Sequence, residues 1–394
     1  MNPSSNGWID KFGHLVKDYQ NLYDSFDELY LHLKELGFIY GININIPKFI
    51  HPEHPLSEDE KAKINLLTAL YFTYKNHTQS TDFIKFLETI FEFYTQLGIG
   101  KISFLQKILN GKQTSLQLEK LLDSRVYLED NVISKTFNSI ITNSLLFIDV
   151  LTFKSYLEQK NDVKEHAKDI EHITINITYH ALNSKEMNKN DAKLAHLFAS
   201  SLTFVDSHVD NFDIAYRHKL INKFTTYENT YFLDVACLTV WEDLSLVYKE
   251  SKFLTGIGKD LGLAKENVVK SIEDVAVFFE KNAKQIPHLK DKNMAVQFYD
   301  SMSRIVNKLI LRNSKRLQKE LLGSKELVSL LSKSTVKDLS AEEKKKVQKQ
   351  LLDIFKSIPS LAIFILPGGA VLLPIFIKLI PKLLPSSFDD NRIE

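Results

Sequence analysis

Residues 83–97 read FIKFLETIFEFYTQL, and Phe83, Leu87, Ile90, Tyr94 and Leu97 recur at the spacing of one face of an α-helix. A strand would need strict alternation, which this stretch lacks. Residues 22–33, LYDSFDELYLHL, repeat the plan through Leu22, Phe26, Leu29, Tyr30 and Leu33. Helix starts are marked as well. Ser57 with Glu60, Thr225 with Glu228, and Ser340 with Glu343 each place a hydroxyl three residues ahead of a carboxylate, the pattern of a capping box. The expected fold class is all-α, a multi-helix soluble body.

Composition agrees with a folded chain. Of 394 residues 44% are apolar and 25% charged, enough to bury several helical layers. The formal net charge is only +1, so no global field directs the chain to nucleic acid or to acidic substrates. Cys237 is the single cysteine, which excludes an internal disulfide and any cysteine-built zinc or iron–sulfur site within one chain. The opening MNPSSNGWIDKFGH has neither a basic start nor a continuous apolar core, so no cleavable leader is expected in it. Five of the ten prolines lie between Pro359 and Pro385, which leaves the preceding sequence free for long helices.

Linkers are expected at 44–56, 98–100, 183–190 and 285–293. We divide the chain into an N-terminal helical domain over 1–183, a helical module over 184–290, a basic helical neck over 291–349, and a terminal segment over 350–394. Within the second region, residues 240–263 read VWEDLSLVYKESKFLTGIGKDLGL. An acidic residue after an apolar helix, Glu250 seven positions beyond Asp243, and the Leu-Gly-Leu end resemble the helical module of tellurite-resistance TerB-like proteins. Leu244 stands where that family usually has glycine. A helical hairpin closed by a Gly262 C-cap accounts for the same residues.

Charge is unevenly distributed. From Ser303 to Lys349 thirteen basic residues face five acidic ones, a net charge of +8, and residues 1–302 carry −7. Immediately beyond, Ser357 to Ile377 reads SIPSLAIFILPGGAVLLPIFI, 21 residues without an ionisable side chain. As one helix it would span roughly 30 Å, the thickness of a bilayer's hydrocarbon core. Lys356 precedes it and Lys378 and Lys382 follow, placed for snorkelling at both interfaces. Pro367, Gly368 and Gly369 should bend the run, so a proline-kinked membrane helix and a re-entrant helical hairpin are both compatible with it. A buried element of the soluble body is the third choice.

The wider stretch LSAEEKKKVQKQLLDIFKSIPSLAIFILPGGAVLLPIFIKLIPKLLPSSF, Leu339 to Phe388, resembles the membrane-segment signature of the LETM family. The shared features are a basic helix entering Asp-Ile-Phe and then Pro359, the central Pro367-Gly368-Gly369, Leu372-Leu373-Pro374, Lys378, Pro381, and Leu384-Pro385-Ser386 running to Phe388. The resemblance implies a membrane protein linked to cation/proton exchange and cation homeostasis, with a ribosome-binding-like domain after the membrane segment. The chain ends six residues past Phe388, so that following domain is expected to be missing. Ala370 stands between the central prolines where the family carries an acidic residue, and an exchanger needs a titratable group in the bilayer. Bacterial proteins of this layout carry the label biofilm-associated.

The basic neck, with Lys344, Lys345, Lys346, Lys349 and Lys356, fits an anionic leaflet and by the positive-inside rule keeps the bulk of the chain on the cytoplasmic side of the cytoplasmic membrane. Asp206, His208 and Asp210, with Asp213 nearby, are the weak candidates for a divalent metal, lacking the glycine and terminal glutamate of a calcium loop. No phosphate loop, dinucleotide motif or nucleophile elbow occurs, and no cofactor or small-molecule substrate is indicated. The expected function is a non-enzymatic, membrane-anchored scaffold or interaction protein related to the LETM proteins, oligomeric assembly being open. The alternatives are a ribosome-binding membrane factor and a subunit or regulator of a cation/proton exchanger.

Overall fold

The structure, a computed structural model, describes residues 1–99, 111–126, 145–159, 162–184, 220, 223–241, 248–282, 285, 303, 306–307, 309–334, 337, 339–358, 361, 364 and 373–383. These residues are helical throughout their regular structure, and no strand occurs among them. The helices are α1 (Trp8–Val16), α2 (Phe26–Glu35), α3 (Glu58–Thr78), α4 (Phe83–Tyr94), α5 (Gly111–Arg125), α6 (Phe147–Leu157), α7 (Val163–Ser184), α8 (Thr226–Val240), α9 (Tyr248–Asp260) and α10 (Lys265–Asn282). In the C-terminal part they are α11 (Ser314–Leu322), α12 (Lys325–Lys333), α13 (Ala341–Ser357) and α14 (Leu373–Leu383).

Helix α3 lies at the centre. From Leu66 to Tyr74 every position is buried, so the helix is enclosed on all faces rather than amphipathic. Two of its buried hydroxyls, those of Thr68 and Thr73, donate to the carbonyls of Ile64 and Ala69 one turn back, both at 2.7 Å, and are satisfied inside the core. Helices α2 and α6 pack on α3, α6 continues onto α7, and α7 makes its broadest contact with α8, which in turn carries α9 and α10.

All three capping boxes form. Ser57, Thr225 and Ser340 accept from the backbone of Glu60, Glu228 and Glu343, and each glutamate reaches back to the cap's own N–H. Helix α9 ends as a Schellman motif: Leu263 N–H donates to the Gly258 carbonyl at 2.9 Å, Gly262 N–H to that of Lys259 at 3.0 Å, and Gly262 sits at φ +67°.

Two periodic faces need adjustment. Phe26, Leu29, Tyr30 and Leu33 are buried as expected, but Leu22 precedes the Ser25 N-cap, lies outside α2 and is exposed. Leu97 is buried, yet it belongs to a π-helical turn, Thr95–Ile99, that follows α4 without a break. The first glycine of the linker expected at 98–100 therefore belongs to a helical turn. Likewise Asn183 and Ser184 close α7 and are not loop residues.

Three buried ionic clusters join distant segments. Arg125 of α5 grips Asp149 of α6, and Tyr94 of α4 donates to the same carboxylate at 3.1 Å. Lys34 of α2 reaches Asp234 of α8 at 3.0 Å and Asp274 of α10 at 2.8 Å, while the Tyr30 hydroxyl donates to Asp234 at 2.7 Å. His166 of α7 meets Glu228 of α8 at 2.6 Å.

Candidate functional site: a basic C-terminal module

Helices α11–α14 pack on one another through α12. Helix α12 touches α11, α13 and α14, and Leu317, Leu321, Leu327, Leu331, Val347 and Leu351 fill the space between them. The order of residues in α13 explains its placement. Val347, Leu351, Ile354 and Phe355 form an inward stripe at helical spacing, and Lys345, Lys346 and Lys349 fall on the other side.

Helix α13 stops where the apolar run begins. Ile358 is extended, with φ −120° and ψ 103°, the conformation required of a residue ahead of proline. Phe355, Phe364 and Phe376 then close an aromatic triad with centroid separations of 4.7, 5.1 and 4.9 Å. Leu373, Pro374, Ile375, Phe376, Ile377 and Ile380 of α14 are buried, whereas Lys378 is exposed and Pro381 half-buried. At 11 residues α14 is roughly 16 Å long. No helix among the described residues is long and apolar enough to cross a membrane. Pro359, Pro367, Gly368, Gly369, Leu372, Leu384, Pro385, Ser386 and Phe388 lie outside the described residues.

The outside of this module is cationic. Arg312, Lys315, Arg316, Lys319, Lys325, Lys337, Lys345 and Lys349 are exposed, and none of them joins an ion pair among the described residues. Three other lysines are paired, two of them between helices. Lys346 of α13 bonds Glu326 of α12 at 3.0 Å, and Gln350 adds a second donor to the same carboxylate at 3.1 Å. Lys333 bonds Glu343 at 2.5 Å, and Lys356 pairs with Asp353 within α13 at 2.9 Å. The Lys346 ammonium accordingly holds the Glu326 carboxyl below its ordinary range. Of the neck lysines named from sequence, Lys346 and Lys356 are thus tied up, Lys344 is half-buried, and Lys345 and Lys349 face outward. From sequence Arg312, Lys315, Arg316, Lys319 and Lys325 count only as charge; that they, like Lys345 and Lys349, stay exposed and outside the ion pairs depends on tertiary packing.

Asp206, His208 and Asp210 lie outside the described residues. Among the described residues no three histidine, cysteine or carboxylate side chains converge as a metal site. Cys237 is buried in α8, and burial pushes its thiol well above the ordinary range.

The module is therefore a small all-α unit with an apolar aromatic centre and a cationic exterior. Its C-terminal half carries a family signature: residues 339–394 match the family described as LETM1-like, RBD, and through this segment the protein is related to the LETM proteins. The matched span begins at Leu339, where the resemblance read from the sequence also begins, and takes in α13, α14 and the proline-rich run. Neither a curated protein nor a solved structure matches the chain.

Proposed function

We propose that this chain is a helical interaction protein whose C-terminal module binds the ribosome. The observation that carries the reading is the set of exposed lysines and arginines on and beside α11–α13 that join no ion pair among the described residues, next to a segment that matches a LETM1-like RBD. Exposed lysine and arginine side chains displace counterions from phosphates, so they favour a polyanion of high charge density over an ordinary protein surface. No catalytic constellation competes with this assignment among the described residues. The test is co-sedimentation of the full chain with ribosomes over a range of salt. Binding should fall steeply with salt, and Lys345→Glu with Lys349→Glu should weaken it and flatten the slope. Absence of association at low salt overturns the proposal.

A second reading follows from the ionisable-free run Ser357–Ile377: this segment inserts in the cytoplasmic membrane and holds the module there. A full chain that resists carbonate extraction from membranes, while a chain ending at Ser334 is released, supports insertion. Release of both forms refutes it.

A further inference from the structure

Helices α3 and α6 end beside one another. Their last two residues, His77 with Thr78 and Tyr156 with Leu157, line one open cleft of about 570 Å³. Thr89 of α4, Gln96 of the π-helical turn and Gln159 complete its polar wall. Gln79 and Gln159, which follow the two helices, are in the left-handed region at φ 55° and 53°, so both helices stop abruptly there.

A helix C-terminus presents carbonyls without intrahelical partners and about half a negative charge. Two such ends share this cleft. A full carboxylate stands beside it, since the Tyr156 hydroxyl donates to Glu92 at 3.3 Å. No lysine or arginine lines the cleft among the described residues. Lys154, the nearest cation on α6, is paired with Glu158, and Lys75 in the last turn of α3 does not line it. The wall therefore combines hydroxyl, carboxamide and imidazole groups beside two helix C-termini and the Glu92 carboxylate, at a volume suited to a small molecule.

We propose that this cleft is a binding site for a small organic cation carrying more than one ammonium group, of the polyamine class. Ammonium donors match carbonyl, amide and hydroxyl acceptors directly, and two or more of them serve two separate helix ends better than one metal ion, which would require convergent ligands at short range. The site is independent of the ribosome proposal, because no residue of α11–α14 takes part.

The experiment is calorimetric titration of the purified full chain with spermidine, with sodium chloride matched for ionic strength as the control. Saturable binding is expected, weakened about tenfold or more by Glu92→Gln and abolished by Gln96→Lys, which supplies an ammonium from the wall itself. Both positions are exposed, so circular dichroism and thermal unfolding should match the unmodified chain. Absence of saturable binding overturns the proposal, as does binding that both variants leave unchanged, which would assign the spermidine to the acidic surface generally.

Discussion

Arg125 and Asp149 meet as a two-point fork: Nε donates to Oδ2 at 2.8 Å and Nη2 to Oδ1 at 3.0 Å, with both side chains almost fully buried. The pair fastens α5 to α6, and the Tyr94 hydroxyl brings in α4. Removing one partner strands the other charge in a low-dielectric interior. Asp149→Ala should lower the unfolding free energy by about 3–5 kcal/mol in a urea titration, and the double replacement Arg125→Met with Asp149→Leu should recover much of that loss. Equal destabilisation by the single and double variants would show that the pair adds net stability beyond satisfying its own charges.

Stability should fall on the alkaline side. Burial alone would depress the Lys34 ammonium, but Asp234 and Asp274 outweigh it and raise its pKa above the ordinary 10.5. Burial, reinforced by nearby carboxylates, raises the phenols of Tyr30 and Tyr94 above 10.0, and Tyr227 is pushed up to about 12. In every case the folded state holds its proton more tightly than the unfolded chain does. The contribution is complete below the unfolded values and is lost as pH rises through and beyond them. The urea midpoint should therefore be level up to about pH 9 and drop above about pH 10. Lys34→Met should shallow the drop.

Glu228 and Glu343 each hold a second partner beside the cap, but that of Glu228 is buried and that of Glu343 is exposed. Glu228 completes the capping box with Thr225 and also receives His166 from α7. Ser340→Ala and Thr225→Ala should each cost about 1 kcal/mol through the lost cap. Glu228→Ala should cost clearly more than Glu343→Ala, because the hydrogen bond it removes from His166 is buried while the one Glu343 makes to Lys333 is exposed. Chemical denaturation of the four variants checks the order.

Phe376 separates the two environments open to the C-terminal run. In water, with the triad to Phe355 and Phe364 formed, Phe376→Ala opens a cavity and should destabilise the module by about 3–5 kcal/mol. Trypsin should then cleave after Lys378 much faster than in the unmodified chain. Unchanged cleavage would mean that the triad does not form in solution.

Local chemistry made much of the fold legible. The three capping boxes, the Gly262 cap and the faces of α2 and α4 follow from residues a few positions apart, where one side chain and one backbone group decide the outcome. The ionic clusters were not legible, because Tyr30 and Asp234 are 204 positions apart and nothing in either neighbourhood names the other. Leu22 has the right period but sits ahead of a serine that starts the helix, and the cap prevails over the pattern. The run from Ser357 was ambiguous for a different reason: a bilayer and a protein interior select the same side chains. Charge counting found the cationic region, but only packing separates Lys346, held by Glu326, from Lys345 beside it.

The separation of charge between the body and the exposed basic residues on and beside α11–α13 also governs how copies of the protein meet. A chain with −7 over residues 1–302 and +8 over the next 47 residues is nearly neutral as a whole, yet it is strongly dipolar. In dilute buffer the cationic end of one molecule attracts the acidic flank of another, and a net charge of +1 offers little repulsion to oppose them. Screening shortens that attraction to about 8 Å at physiological ionic strength. The protein should therefore salt in: its solubility is lowest in pure water, and rises with added salt before any ligand is present.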